Sequence, residues 1–117
     1  MRHALAFGAF LAMTAPAPAQ NWMIGIGNMS CAEVTAGIRN PENRQRVIEW
    51  VTGYISGVNS GLTVTHKKVF EVTELNADLI AGTIQSYCSQ NPTHHMHQAA
   101  GSLVSKLPLR PWTPPKS

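Results

Sequence analysis

The chain has 117 residues, a net charge of +3 and only 13% charged residues. That length holds a single domain. Its nine basic residues are scattered, with only Lys67 and Lys68 adjacent, which excludes the basic stripe of a nucleic-acid binder.

Residues 1–19 read as a secretory signal. Arg2 and His3 form a short basic start, Ala4 to Ala15 is an apolar run, and Ala17-Pro18-Ala19 supplies small residues before a cut after Ala19. The run is too short to cross a bilayer, which takes roughly 20 apolar residues. No cysteine directly follows the cut, so no lipid anchor is indicated, and no later stretch reads as a membrane span. The expected location is the periplasm or the medium. Residues 20–29, with Gly25 and Gly27, are expected to be irregular.

Four helices are predicted over residues 30–107. The first opens at Ser30-Cys31-Ala32-Glu33, where serine and glutamate side chains can satisfy exposed amides reciprocally, and it stops near Gly37. The second opens at Asn40-Pro41-Glu42: a capping amide, a proline in the first helical position, then an acid. Val47, Trp50, Val51, Tyr54, Ile55 and Val58 recur along it with helical spacing, Ile48 widens the stripe, and Asn59-Ser60-Gly61 should end it. Leu62 to Leu75 contains Val64, Val69, Phe70 and Val72 and reads as an extended loop or short β segment. The third helix should run from Ala77 to Ser89, with Asn76 as cap, Leu79, Ile80, Ile84 and Tyr87 on one face, and Cys88 at its edge. The fourth should start at Asn91-Pro92 or Thr93 and run to Leu107, with Met96, Ala99, Ala100, Leu103, Val104 and Leu107 as its apolar stripe. Residues 108–117 are proline-rich and read as an extended tail. The fold class is all-α: a small four-helix domain with an extended or short β loop between helices two and three.

Cys31 and Cys88 are the only cysteines. In an exported chain of this size an even pair points to one disulfide. The bridge would close a loop of about 57 residues, worth roughly 4 kcal/mol in the chain-entropy model. A domain this small buries about 65% of its unfolded surface, so such a staple matters. Cys31 at a helix start could instead be a nucleophile with a lowered pKa, but no CxxC accompanies it.

His94, His95 and His97 resemble a metal motif in a line. At about 100° per residue, positions 94 and 97 share a helix face while 95 lies off it, so a metal would need ligands from elsewhere. They are expected to be surface histidines, and no metal or cofactor is implied. Gly53 and Gly57 sit one turn apart inside the second helix, where each costs about 1 kcal/mol against alanine. They serve either close packing within the chain or a partner-docking groove edged by Trp50. No serine elbow, phosphate loop, zinc-protease motif or recognisable carboxylate pair is present, so an enzyme is not expected.

The order of these features resembles the HdeA/HdeB-type acid-stress chaperones of the bacterial periplasm. The shared pattern is an export signal, Ser30-Cys31-Ala32-Glu33 opening a short helix, Glu49-Trp50-Val51-Thr52-Gly53-Tyr54 in a longer one, and Tyr87-Cys88-Ser89-Gln90-Asn91-Pro92 closing the third. The resemblance covers about Met29 to Leu107. It implies a helical bundle stapled by Cys31 and Cys88, often dimeric at neutral pH. Acid would loosen the bundle to hold client proteins through Trp50, Tyr54, Ile55 and Val58. Protonation of His66, His94, His95, His97 and the acids would raise the positive charge and favour expansion. Tyr54-Ile55-Ser56-Gly57-Val58 also resembles a Gly-Tyr-Ile-Ser-Gly stretch of Tai-type immunity proteins, which block a cell-wall amidase effector. That resemblance implies one enzyme partner meeting loop 62–75 or the Trp50, Gly53 and Gly57 edge.

Overall fold

Helix starts in this chain are built from side chains that accept the first free amides, and three of the four expected starts are made that way. The computed structural model describes residues 23–116. The expected export signal and its cut lie outside the described residues. Helix α1 (Cys31–Gly37) begins with the reciprocal pair: Ser30 Oγ accepts from the Glu33 amide at 3.2 Å, and Glu33 Oε2 accepts from the Ser30 amide at 3.3 Å. Helix α2 (Pro41–Thr65) is capped by Asn40, whose Oδ1 accepts from the Glu42 and Asn43 amides. Helix α3 (Ala77–Gln90) is capped by Asn76, which accepts from the Leu79 amide at 2.9 Å.

Helix α4 (Met96–Ser105) starts later than expected, with His95 rather than Asn91, Pro92 or Thr93 before it. The reason is tertiary. Residues 91–95 form a turn whose carbonyls serve α1: the Cys31 amide donates to His94 O at 2.7 Å and the Ala32 amide to Pro92 O at 3.1 Å. These are two of the four amides that any helix leaves unpaired at its start. The Met96 amide then donates to Met29 O at 2.9 Å, so the turn is stitched to the chain on both sides of Ser30.

Helix α2 also runs past its expected stop at Asn59-Ser60-Gly61, through to Thr65. Asn59 does not end the helix because its amide group is used elsewhere. It lies against strand β1 (Lys68–Phe70), where Oδ1 accepts from the Phe70 amide at 2.7 Å and Nδ2 donates to Phe70 O at 3.0 Å. Between α2 and β1, Lys67 takes a left-handed backbone with φ 51°. The expected β character of this stretch is thus present, as three residues.

The tail is more ordered than a free extension. Strand β2 (Leu109–Pro111) pairs antiparallel with β1, with Val69 opposite Arg110 and Phe70 opposite Leu109. In the described part of the segment expected to be irregular, Gly25–Asn28 forms a turn of 3-10 helix.

The core lies where α1, α2 and α4 meet α3. Val51, Ile84, Met96, Cys31 and Cys88 are its largest fully buried side chains, and no polar or charged side chain is buried among the described residues. On α3 the buried face is Ile80, Ala81, Ile84 and Cys88. Leu79, expected on that face, is 46% exposed. Cys88 sits at the centre of the face rather than at its edge, because it joins Cys31 in the disulfide.

That bond links the first turn of α1 to the last turn of α3 across 57 residues of sequence. Replacing both cysteines by alanine is expected to lower unfolding free energy by about 2–5 kcal/mol, measured by urea titration of far-ultraviolet circular dichroism. A midpoint unchanged from wild type would show that the main-chain stitching alone holds α1 in place.

Candidate functional site

The residues named from sequence divide into three environments along α2. Trp50 and Tyr54 form the first. Their rings stack with centroids 5.4 Å apart, and both are half-buried. The Trp50 edge is not an open groove. Trp50 Nε1 donates to Ile24 O at 3.0 Å, and the 3-10 turn lies over the indole. Gly27 is buried there, and a Cβ at that position would collide with the indole's six-membered ring and with Met23. A residue without a side chain is therefore required for the 23–28 segment to lie flat on Trp50.

Gly53 and Gly57 form the second environment. A Cβ at either would meet no atom of the described residues within 4 Å, so packing among those residues does not account for them. Gly61, one turn further, is equally open. Thr52, Ser56 and Ser60 are exposed beside them, and no charged side chain occurs from Trp50 to Thr65. This face of α2 is small, uncharged and uncovered by the described residues.

Ile55 and Val58 belong to the third. Ile55 is 3% exposed and Val58 is half-buried against the core. Ile55 also lines the floor of a groove of about 370 Å³, with Ile48, Val72, Leu75 and Ile80 as its other apolar walls. The groove runs between α2 and the 72–77 connection that leads into α3. Val72 is 40% exposed at its lip. Val72 and Leu75 were visible in the sequence only as members of a β-prone stretch. Their role as a wall depends on how the loop folds back, which no local pattern encodes.

The three clustered histidines are arranged differently from the helical expectation. His94 and His95 precede α4, so the 94/97 pairing on one face does not form. His94 Nδ1 meets the Tyr87 hydroxyl at 2.6 Å instead. His95 and His97 stack with ring centroids 5.8 Å apart. Burial, and then the charge of a protonated His95, push the pKa of His97 below its ordinary 6.5. Among the described residues, no three of His, Cys, Asp or Glu converge as a metal site would require. Cys31 and Cys88 are bonded to each other and fully buried, so neither is available as a nucleophile.

A second titrating group lies at the sheet. Glu71 Oε1 accepts from the Val72 and Thr73 amides, and its Oε2 accepts from Arg110 Nε at 2.6 Å. The hydrogen bonds from Thr73, and then Arg110, hold its pKa below the ordinary 4.5. This pair spans 39 residues of sequence and was not foreseeable from it.

A family model described as the HdeA/HdeB family matches residues 3–98. The chain belongs to that family. No curated protein and no solved structure matches it. At the level of the family, this supports a periplasmic location and a non-enzymatic, chaperone-like role in acid stress, with proteins as clients. No helix among the described residues is long and apolar enough to cross a membrane.

The lid over Trp50 can be tested through Gly27. Gly27→Ala is expected to lift the 23–28 segment, cost about 1–3 kcal/mol of stability, and shift Trp50 emission to longer wavelength. The emission is read in a variant that keeps Trp50 as its sole tryptophan. Unchanged emission would mean that the segment does not seal the indole.

Proposed function

We propose that this protein is exported and acts as an acid-opened holdase, binding unfolding client proteins through the apolar surface of α2. The binding surface consists of Trp50, Tyr54, Ile55 and Val58, extended by the groove walls Ile48, Val72, Leu75 and Ile80. Gly53 and Gly57 flank it and leave room for a close-lying client backbone. In this reading the signal is removed after Ala19, and a second copy of the chain is a natural occupant of the same face at neutral pH.

One observation carries the reading. The disulfide joins α1 to α3, while α2, the longest helix and the bearer of the apolar stripe, has no covalent tie beyond its own connections. Loosening can therefore swing α2 away while α1, α3 and the stitched 91–95 turn stay together. The core buries no polar side chain among the described residues, so the interior that opens is apolar. Such a surface binds unfolded chains without regard to their sequence.

The trigger is peripheral. His97 has a lower pKa in the folded chain than in the unfolded one. The unfolded state therefore binds more protons, and stability falls as pH drops below 6.5 towards the depressed value. Glu71 repeats the effect lower down, its contribution being complete above 4.5 and lost as pH falls through its depressed pKa. Helix α4 adds to the first stage, because a cation at a helix start faces the positive end of the helix dipole.

The urea midpoint is accordingly expected to fall in two stages, one below 6.5 and one below 4.5. His97→Gln should flatten the first and leave the second. A single-stage profile in both proteins would contradict this assignment. The function itself is tested by light scattering. The purified protein should suppress aggregation of acid-denatured alcohol dehydrogenase at about pH 3 and not at neutral pH, since the carboxylates have then passed their ordinary values. A protein that stays native at that pH and protects nothing would end the holdase reading.

A further inference from the structure

Strand β1 has two edges, and their treatment differs. Main-chain bonds run from the Trp112 amide to Lys67 O at 2.9 Å and from the Glu71 amide to Pro108 O at 2.8 Å. In an antiparallel ladder these bonded positions alternate, so Lys68 and Phe70 turn their own amides and carbonyls to the opposite edge. There the Asn59 side chain engages both groups of Phe70 at once, as a neighbouring strand would. That edge is plugged by a fixed residue of α2. The other edge is covered only by the tail.

The tail is lightly held. All three residues of β2 are exposed, and among the described residues its side-chain hydrogen bond to the rest of the fold is Arg110 on Glu71. Glu71 is positioned for an incoming cation independently of the tail, because its other oxygen is fixed by the Val72 and Thr73 amides. Unpaired strand edges are templates for extended chains, and proteins commonly cover them.

We infer that this edge of β1 is a peptide-binding site and that Leu109–Pro111 is an internal strap occupying it. The external occupant is an extended segment with an arginine between an apolar residue and a proline, the chemistry of Leu109-Arg110-Pro111 itself. Its main chain takes the bonds to Lys67 O and the Glu71 amide. Its arginine takes the Glu71 carboxylate, opposite Val69, and its apolar residue lies opposite Phe70. Tethering gives the strap an effective concentration on the order of millimolar, so an external segment competes only when abundant or already bound nearby. This site does not depend on the acid-opened surface of α2.

The test uses the full chain and two labelled peptides, LPLRPWTPPK (residues 107–116) and the same peptide with glutamate in place of its arginine. Fluorescence anisotropy at neutral pH is expected to show Arg110→Glu protein binding the arginine peptide at least about tenfold more tightly than wild type, because its own strap is repelled while Glu71 is free. The glutamate peptide should not bind, and adding Glu71→Gln to Arg110→Glu should weaken the arginine peptide. Equal affinity of both proteins, or equal binding of both peptides, would overturn the site. A wild-type dimer that the arginine peptide dissociates would put a second copy's tail in the edge and overturn the internal strap. Should Arg110→Glu fail to fold, hydrogen exchange of wild type decides the matter. The amides of Glu71 and Trp112 are expected to exchange at least about tenfold faster than those of Val51 and Ile84, because the strap opens alone. Equal rates would refute it.

Discussion

The joint between the start of α1 and the end of α3 is the constraint on which the rest of the structure depends. Its covalent part is the Cys31–Cys88 bond, buried completely. Its hydrogen-bonded part is the 91–95 turn, which accepts the first two amides of α1 through Pro92 and His94. Neither part suffices in principle. The bond fixes two points but not an orientation, and the main-chain bonds orient α1 only while the turn is held. Together they make α1, the end of α3 and the start of α4 one unit. Helix α2 then packs onto that unit mainly by apolar contact, with Asn43 Nδ2 donating to Gly37 O at 3.2 Å and the Arg44–Asp78 ion pair at the surface. Exposed pairs of that kind contribute about 0–1 kcal/mol.

This division of labour fits an acid-stress role at the level the family supports. A holdase must expose apolar surface without losing its way back to the folded state. A covalent joint on one side of the core and a largely apolar interface on the other allow that. The groups that lose stability in acid, His97 and Glu71, sit at the start of α4 and at the sheet, outside the apolar interior. In the proposed function protonation acts on that shell, and among the described residues the core has no buried charge of its own. Of the two resemblances read from sequence, the family match goes to the first. The Tyr54–Val58 stretch behind the second lies mid-helix, where Tyr54 and Val58 are half-buried, Ile55 is buried, and Ser56 and Gly57 face outward.

Much of this was legible in the sequence because the relevant physics is local. Ser30, Asn40 and Asn76 each cap a helix as their residue types and neighbours indicate. The disulfide followed from compartment and count. What failed to show was non-local. The stop at Asn59-Ser60-Gly61 was overridden because Asn59 is recruited by Phe70, 11 residues on. The start of α4 was displaced because its natural cap region serves α1. Leu79 left the apolar face of α3 for solvent, a distinction of one helical step that periodicity cannot resolve when neighbouring residues are also apolar. Whether the Trp50 edge was packed or open stayed undecided, because the glycine-containing segment before α1 gave no sign of folding back over it. Gly53 and Gly57 have an outward, uncovered setting that distinguishes them from Gly27, which the fold requires.

The central claim is that acid frees α2 while the disulfide-joined unit persists. Hydrogen exchange resolved by segment, at neutral pH and again near pH 3, measures this directly, with wild-type protein and its disulfide intact. Residues 41–65 are expected to lose protection in acid while the segments around Cys31 and Cys88 retain most of theirs. Protection lost at one rate throughout the chain, or kept throughout, would contradict it.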